Sequence, residues 1–364
     1  MKSKRIFALV LVVLVALASV ACSAAPAPAG GAPAEAAKFV GDTNVAYNPE
    51  IQEDGVKRLG ICYSALTYSA SQLLVKNYEK LYKDYGFDEI ISLSADGDLE
   101  TQISQIQDLV NQKCDVIVIN SIDANGIASV CDMAMQAGVA VMAVDRKIGT
   151  SIYYTLETDN VSAGRDCAMT VADWTFAPGI ADDAVHVMYV IGDMSSSAQY
   201  DRLEGVKGTL AFYPWIDVVA TPSALETSEV YDAVIDAFTA DPTIKAVFVT
   251  GGDDSVTPVV SALRELGKLY DPQDPNYVYI ASVDGALNAI EAIEAGESFC
   301  TANQRFDLFC TQILEVAQNY MNGEYVSPNA NTVQLSCSMV MRETVDNLEE
   351  LGVLWARGWF AEAK

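Results

Sequence analysis

The sequence predicts an α/β protein made of two doubly wound lobes, each with a parallel β-sheet between helices. From residue 58 onward, short apolar runs alternate with amphipathic helical stretches, which is typical of βαβ units around a parallel sheet. The same order of element types begins again at residue 185, which indicates an internal repeat of architecture with low residue identity. A chain of 364 residues is long enough to bury a core in each of two domains.

The first series alternates four predicted strands with three predicted helices. Gly86 suits the C-terminus of the first helix, and Asp98 is a candidate N-cap for the second. Because the strands are almost entirely apolar, helices are expected to cover both faces of this sheet. The predicted strands span 58–64, 89–95, 115–120 and 139–144, and the predicted helices span 72–86, 99–113 and 124–137.

The second series follows the same plan. The run VIVINSIDANG of the first series corresponds to AVFVTGGDDSV of the second, and VAVMAVDRK corresponds to VYIASVDGA. A helix that contains Gly205 separates its first two strands. The predicted strands span 185–193, 217–221, 246–254 and 278–285, and the other predicted helices span 230–240 and 256–267.

Polar residues concentrate at the predicted carboxyl ends of the strands. Doubly wound sheets bind ligands in the crevice at those ends, so two lobes that face each other would share one cleft. Asp offers two acceptor oxygens and Arg five donors in a planar fork, so together they can clamp vicinal hydroxyls of a small, neutral, polyhydroxylated ligand. The alternative is that Asp145 and Arg146 form only a local salt bridge or a helix cap. The residues concerned are Ser64, Asp145, Arg146, Asp253, Asp254 and Asp284, with Arg202 in SSSAQYDRLEGVKG and Gln304 in CTANQRFD.

The charge balance argues against nucleic acid as a partner. The chain has 49 acidic residues against 22 Lys and Arg, a formal net charge of −27. Phosphate backbones and anionic membrane surfaces would repel such a body. The same acidity is consistent with a surface that only aids solubility, so it identifies no ligand.

Sequence motifs for catalysis and for cofactor binding are absent. The one histidine, His186, lies within the apolar run AVHVMYVIG, where a buried or half-buried position is expected rather than a base or a metal ligand. No G-x-S-x-G precedes a helix, and neither G-x-G-x-x-G nor G-x-x-x-x-G-K-[ST] occurs. We therefore expect no catalytic residues, no cofactor and no metal. Carboxylates paired across the cleft leave a secreted glycoside-processing enzyme as an alternative.

The N-terminal segment is predicted to be an export signal rather than part of the fold. Basic residues precede the apolar run IFALVLVVLVALASVA, which is short for a membrane-spanning helix of roughly 20 residues. Residues 1–22 are predicted to be a lipoprotein signal peptide that ends at Cys22, the lipidated residue, and residues 23–57 a Pro-, Ala- and Gly-rich tether with an N-terminal extension. Ser19 stands where that motif usually carries Leu, so ordinary secretion with cleavage nearby is the alternative.

The cysteines that follow Cys22 do not have the spacing of a metal site. No CxxC occurs, and an odd number of cysteines cannot all pair within the chain. Several lie in apolar runs, where cysteine commonly packs as a small buried side chain, so disulfide pairing is left open. They are Cys62, Cys114, Cys131, Cys167, Cys300, Cys310 and Cys337.

Six segments occur in an order and spacing that resemble one known family. They are VDRKI, TDNVSAG, DRLEGVKG, VFVTGGDDSV, ASVDGALNAIEAIEAG and MVMRETVDNLEELG. Over roughly residues 58–352 the chain resembles the type I periplasmic solute-binding proteins of the ribose-binding family, the extracytoplasmic receptors of sugar ABC transporters. The resemblance implies a three-strand hinge, with crossings near Asp159, Asn303 and residue 332. The implied N-terminal lobe comprises 58–159 and 304–332, and the implied C-terminal lobe comprises 160–303 and 333–364.

The resemblance also implies which residues contact the ligand. The polar contacts that it implies are Ser64, Asp145, Arg146, Arg202, Asp284 and Gln304. Asp253 matches the acid of the family's Asn-Asp pair, although Gly252 stands where the Asn ligand would be.

The aromatic walls that sandwich a sugar ring in the family are not matched. Ala70 and Ser71 stand where two aromatics are expected, and Leu225 where Phe or Trp is usual. Tyr68, nearby, is the aromatic that we include among the predicted contacts. A smaller or acyclic ligand such as a polyol, or a signalling sugar derivative, is therefore favoured over a stacked ring.

We predict an extracytoplasmic, lipid-anchored, monomeric solute-binding protein that closes two lobes around a monosaccharide or related polyol and delivers it to an ABC permease. A receptor that senses a sugar or autoinducer without transport is the alternative within the binding class. A transcriptional regulator of this fold is disfavoured by the export signal and by the lack of a basic helix-turn-helix segment.

Overall fold

The computed structural model describes residues 54–176, 184–224, 226–324, 331–353 and 356, which form two six-stranded sheets flanked by helices. The predicted class, α/β with two doubly wound lobes, is confirmed. The strands of the first sheet are β1 (Arg58–Tyr63), β2 (Glu89–Ser94), β3 (Val116–Ile119), β4 (Ala140–Asp145), β5 (Tyr154–Thr158) and β11 (Thr332–Leu335). Those of the second are β6 (Val185–Val190), β7 (Ile216–Ala220), β8 (Ile244–Val249), β9 (Tyr279–Asp284), β10 (Cys300–Asn303) and β12 (Ser338–Met341).

The two sheets share one strand order, which confirms the internal repeat. The first has the order β11-β5-β4-β3-β1-β2 and the second the order β12-β10-β9-β8-β6-β7. Neighbouring strands are parallel except for β10 and β12, which are antiparallel. In each sheet the order reverses beside the first strand of the lobe, β1 or β6. This reversal is the switch point at which doubly wound sheets bind ligands.

Helices cover both faces of each sheet, and their ends follow the predicted capping signals. The Asp98 carboxylate accepts a hydrogen bond from the Thr101 amide at 2.7 Å, and Gly86 adopts φ 85° after a short 3₁₀ turn. The first lobe contains α1 (Ser69–Leu81), α2 (Leu99–Asn111), α3 (Ala128–Gln136) and α9 (Phe306–Met321). The second contains α4 (Asn160–Trp174), α5 (Ser197–Leu210), α6 (Thr227–Ala240), α7 (Val256–Glu265) and α8 (Leu287–Glu294).

Alternation along the strands divides the core of the second lobe into two layers. In β6, Val187 and Tyr189 pack with α4 and α5, while Met188 and Val190 pack with α6 and α7 on the other face. Successive side chains of a strand point to opposite faces, so an all-apolar strand must be covered twice.

Among the described residues, three segments cross between the two sheets. The chain passes from β5 to α4 at Asp159, from β10 to α9 after Asn303, and from β11 to β12 after Leu335. The third crossing comes later than predicted, because β11 stays paired with β5 up to the contact of Leu335 with Thr158. Residues 333–335 therefore belong to the first sheet, not to the C-terminal lobe.

The cysteines that the structure describes are all free thiols, and only Cys337 among them is not fully buried. Burial raises the pKa of Cys62 and of Cys114 to about 12. Within the described ranges, no group of His, Cys, Asp and Glu side chains is arranged to hold a metal ion. His186 is half-buried near the start of β6, where its Nδ1 lies 2.5 Å from Asp241 Oδ2 at the sheet edge opposite the carboxyl ends.

Candidate ligand-binding cleft

A cleft of about 520 Å³, part of it open to solvent, lies between the lobes at the carboxyl ends of the strands. Asp145 ends β4 on one side, and Asp284 ends the corresponding strand β9 on the other. Both aspartates have positive φ angles, 68° and 137°, which residues with a Cβ rarely adopt. The repeated architecture thus places one strained aspartate on each wall of the cleft.

A chain of hydrogen bonds from the first lobe holds Asp145. Ser64 Oγ donates to Asn120 Oδ1 at 2.6 Å, and Asn120 Nδ2 donates to Asp145 Oδ2 at 3.1 Å. Arg146 is anchored separately, because its Nη1 donates to the Ser121 carbonyl at 3.1 Å. Two consecutive residues that follow β3, Asn120 and Ser121, therefore position the carboxylate and the guanidinium.

Asp145 and Arg146 are not fully satisfied by their neighbours. Arg146 Nε lies 3.9 Å from Asp145 Oδ2, which makes an ion pair but not a hydrogen bond. Asp145 Oδ1 and Arg146 Nε are both buried without a hydrogen-bond partner. Burial raises the pKa of Asp145, and the charges of Arg146 and Arg202 oppose that rise. The wall thus presents a free acceptor beside a free donor.

Arg202 lies on the opposite wall, buried and held by the second lobe. Its Nε donates to Asn160 Oδ1 at 2.8 Å, its Nη2 to Asp284 Oδ1 at 3.0 Å, and its Nη1 to the Thr250 carbonyl at 3.4 Å. Gln304 Nε2 donates to the same Asp284 oxygen at 2.6 Å. Because its charge is already paired, Arg202 is a fixed donor surface and not a free cation.

Close packing of α4 against α5 sets the position of Arg202. A Cβ on Gly164 would lie 2.0 Å from the Arg202 carbonyl oxygen, and one on Gly205 would lie 2.1 Å from the Val161 carbonyl oxygen. Only glycine permits this approach of the two backbones, so the sequence TDNVSAG and the sequence DRLEGVKG fit together as one contact.

The structure brings most of the predicted contact residues to the cleft. These are Tyr68, Asp145, Arg146, Arg202, Asp284 and Gln304. Ser64 and Asp253 are not among the residues that line it. Ser64 lies behind the wall, where it orients Asn120, so its predicted direct contact is corrected to an indirect one.

Asp253 is buried behind the second wall and not exposed to the cleft. Its Oδ2 accepts a hydrogen bond from the Ala286 amide at 2.6 Å, and Thr301 Oγ1 donates to its carboxylate at 2.9 Å. Burial and the nearby charge of Asp284 raise its pKa to about 8. The turn Asp253–Ser255 rotates this side chain inward and leaves the neighbouring Asp254 on the cleft wall. The predicted contact of Asp253 is corrected accordingly.

Several lining residues were not predicted. Asn120 follows β3, as Asp145 ends β4, so the rule that selected the strand-end acids could have selected it too. Ser196 is the N-cap residue of α5, and Gln199 lies on α5 about one turn before Arg202. Tyr63 closes the apolar strand β1, and nothing in the sequence separates it from a core residue.

Aromatic surface is present in the cleft, although at other positions than the family resemblance implied. Ala70 and Ser71 do line the cleft, as the smaller wall predicts, while Tyr63, Tyr68 and the ring of Phe306 contribute aromatic surface. Leu225 lies outside the described residues.

The predicted signal peptide, Cys22 and most of the tether also lie outside the described residues. Of the helices that are described, none combines the length and apolar character needed to cross a membrane.

Comparisons with known proteins point to one family. The model of a family described as a periplasmic binding protein domain matches residues 65–325. The chain is 25% identical over 304 residues to the xylitol-binding protein of Mycolicibacterium smegmatis, which covers 82% of this chain and 81% of that protein. It is 25% identical over 281 residues to the ribose import binding protein of Bacillus subtilis, which covers 74% of this chain and 83% of that protein.

A solved structure from Mycobacterium smegmatis, in complex with β-D-fucofuranose, has a TM-score of 0.74 to this chain. The match is 19% identical and covers 83% of this chain and 97% of the other. At this identity the structural match shows a shared fold.

Proposed function

We propose that this chain, which belongs to the periplasmic binding protein domain family, is the solute-binding component of an ABC importer for a monosaccharide or related polyol. The family consists of extracytoplasmic solute-binding proteins, which confirms both the resemblance and the expectation that the chain is not an enzyme. Relatives named for xylitol and ribose support a polyhydroxylated ligand.

The observation that carries the proposal is the unmet pair of polar atoms on the first wall. Asp145 Oδ1 needs a hydrogen-bond donor and Arg146 Nε needs an acceptor, and both are buried in the cleft. An alcohol group supplies both functions, and two neighbouring hydroxyls can satisfy the pair together. A ligand that completes these bonds removes the cost of leaving buried polar groups unpaired.

The charges of the cleft favour a neutral ligand. Arg202, the buried cation of the second wall, is already paired with Asp284 at 3.0 Å. On the first wall, the negative charge of Asp145 is balanced by the positive charge of Arg146. An anion would displace one of these pairings and meet the carboxylates, whereas hydroxyls add hydrogen bonds without changing the balance.

Ligand capture would proceed by hinge motion about the crossings at Asp159, Asn303 and Leu335. Ligand contacts from both walls exist only when the lobes are close, so binding favours the closed form by the difference in affinity between the two forms. Closure then gives a permease a surface by which to recognise the loaded protein.

We further propose that Cys22 is lipidated and that residues 23–57 tether a monomeric body to the outer face of the cell membrane. The basic N-terminus, the short apolar run and the Pro-, Ala- and Gly-rich composition support this. A Cys22→Ala chain is expected in the soluble fraction of cells in which the wild-type chain sediments with membranes. Equal membrane association of both chains would contradict the anchor.

A ligand screen tests the function. The mature chain is expected to show an increased Tm with members of a panel of pentoses, hexoses, pentitols and inositols, because a ligand stabilises the state that binds it. Calorimetry should then give a 1:1 complex with the ligand recovered unchanged. Chemical turnover of the ligand, or no stabilisation by any member, would contradict the proposal. Loss of labelled-ligand uptake in cells lacking the chain would separate transport from sensing alone.

A further inference from the structure

Two hydroxyl groups in the cleft lack a partner in addition to the Asp145 and Arg146 pair. They are Tyr63 OH and Ser196 Oγ, and both are buried on residues that line the cleft. Buried polar atoms in folded proteins nearly always have a hydrogen-bond partner, because an unsatisfied group forfeits its hydration. Each of these hydroxyls therefore requires an explanation.

Tyr63 is the last residue of β1 and only 1% of its surface is exposed. Tyr63 lines the same cleft as Asp145 and Arg146. Burial, followed by the Asp145 charge, raises the pKa of Tyr63 well above its ordinary value. The phenol thus stays protonated and can donate.

Ser196 precedes α5 at the N-cap position, with an exposed fraction of 1%. A serine at this position ordinarily accepts a hydrogen bond from an amide of the first helical turn. The Ser196 side chain makes no such bond. Its hydroxyl is therefore left for another use at the wall to which Gln199 and Arg202 also belong.

We propose that Tyr63 and Ser196 bind hydroxyls of the ligand, one from each lobe, and are specificity-determining residues of the cleft. The inference rests on the proposed function and deepens it. Both side chains are uncharged and can donate and accept, so each matches an alcohol group, which also donates and accepts. Because they belong to opposite lobes, a ligand satisfies both only if its hydroxyls reach across the closed cleft. Such a requirement selects for the number and spacing of hydroxyls.

Matched substitutions test this inference. Tyr63→Phe and Ser196→Ala each remove one oxygen and keep the rest of the side chain. Tyr277→Phe and Ser92→Ala are the controls, because these two hydroxyls are also buried without a partner but belong to residues that do not line the cleft. Dissociation constants would be measured by calorimetry with xylitol, D-ribose, D-xylose and myo-inositol, after circular dichroism melts establish that each variant folds.

For the probes that bind the wild-type chain, Tyr63→Phe and Ser196→Ala should each weaken binding by roughly three- to tenfold, the effect of one neutral hydrogen bond. The loss should differ from probe to probe, since the probes present different hydroxyls. The controls should stay within about twofold of the wild type. Wild-type affinity in both cleft variants, or equal losses in the controls, would overturn this inference and leave the proposed function standing. If no member of the wider panel of pentoses, hexoses, pentitols and inositols binds the wild-type chain, the sugar and polyol assignment and this inference fall together.

Discussion

At the residue scale, the cleft depends on two aspartates at equivalent ends of the two sheets. Asp145 and Asp284 each end the fourth strand of a lobe, and each has a positive φ. Asp284 has partners on the Arg202 guanidinium and the Gln304 amide, whereas Asp145 retains an unpaired oxygen. The unpaired oxygen of Asp145 costs stability in the empty protein, which is common where a site is built for a ligand.

Asp145→Asn should separate binding from folding. Asparagine tolerates the φ of 68°. It also removes a buried carboxylate, and burial disfavours that charge because it raises the pKa of Asp145. The Tm without ligand should therefore equal or exceed that of the wild type. Affinity should fall by about ten- to hundredfold, as for a hydrogen bond to a charged group. Calorimetry and thermal melts measure the two effects, with Asp217→Asn on the exposed face of β7 as the control. A destabilised variant that binds normally would contradict this role.

Asp253 predicts a pH dependence of stability. Its pKa is raised from 3.8 to about 8, because it is buried and faces the charge of Asp284. Between these two values the folded chain holds a proton that the unfolded chain has lost. Asp253 therefore makes the folded state less stable as pH rises from about 4 to about 8.

Asp253→Asn resembles the protonated acid and can keep the bonds to Ala286 and Thr301. The free energy of unfolding of the variant, relative to the wild type, should increase with pH up to about 8 and then level off. Urea denaturation from pH 5 to 9 measures this difference. A difference that is constant with pH would show that Asp253 titrates at its ordinary value.

At the element scale, two glycines allow α4 and α5 to pack closely, and this contact sets the position of Arg202. Gly164 faces the Arg202 carbonyl and Gly205 faces the Val161 carbonyl, so the helices approach through their backbones. The side chain of Arg202 then reaches Asn160 of α4 and Asp284 of β9. Helix packing and ligand binding are thus coupled through one residue.

Gly164→Ala and Gly205→Ala should each destabilise the chain by about 1–3 kcal/mol, because the added Cβ has no space. Both should also weaken ligand binding, since separating the helices moves Arg202. Gly208→Ala is the matched control on the same helix, because nothing lies within 4 Å of its added Cβ. This control should be stabilised by about 0.5–1 kcal/mol, the usual gain for Ala over Gly in a helix. Urea denaturation and calorimetry measure the two properties, and equal behaviour of the three variants would refute the packing argument.

At the scale of the whole molecule, contacts outside the hinge also join the lobes. Lys147, in the loop after β4, donates through Nζ to Asp201 on α5 at 2.7 Å. Its backbone amide donates to Ser197 Oγ at 3.0 Å. Lys147 does not line the cleft, so these bonds favour closure without touching a ligand.

Lys147→Met should shift the lobes toward the open form. The ion pair is partly exposed, with 42% and 22% of the two side chains accessible, so its effect should be modest. We expect an affinity loss of about two- to fivefold for every ligand, mostly through faster dissociation, and a larger radius of gyration of the empty chain in solution scattering. Asp201→Asn should add little to Lys147→Met in a double-mutant cycle. Lys207→Met, which removes a pair within α5, should leave scattering and affinity unchanged. An unaltered scattering curve for Lys147→Met would contradict the role of this contact.

Much of the architecture could be predicted from local pattern. Apolar runs and capping residues identify the first four strands of each lobe, because period and composition are properties of the chain itself. Strands β5, β10, β11 and β12 were not predicted, since each is short and next to a crossing. Pairing with a neighbour defines them, as the register of β11 with β5 shows.

The pattern of residues predicts which polar side chains reach the carboxyl edge of the two sheets, among them Asp145, Arg146 and Asp284. It does so because a strand ends where its apolar run stops. Which way each side chain turns at that edge follows from the folded arrangement alone. Asp253 turns inward to the Ala286 amide, while Tyr63, within an apolar run, reaches the cleft. The direction of a side chain past the end of a strand depends on local φ and on partners from distant segments, and neither is encoded in the spacing of residues along the chain.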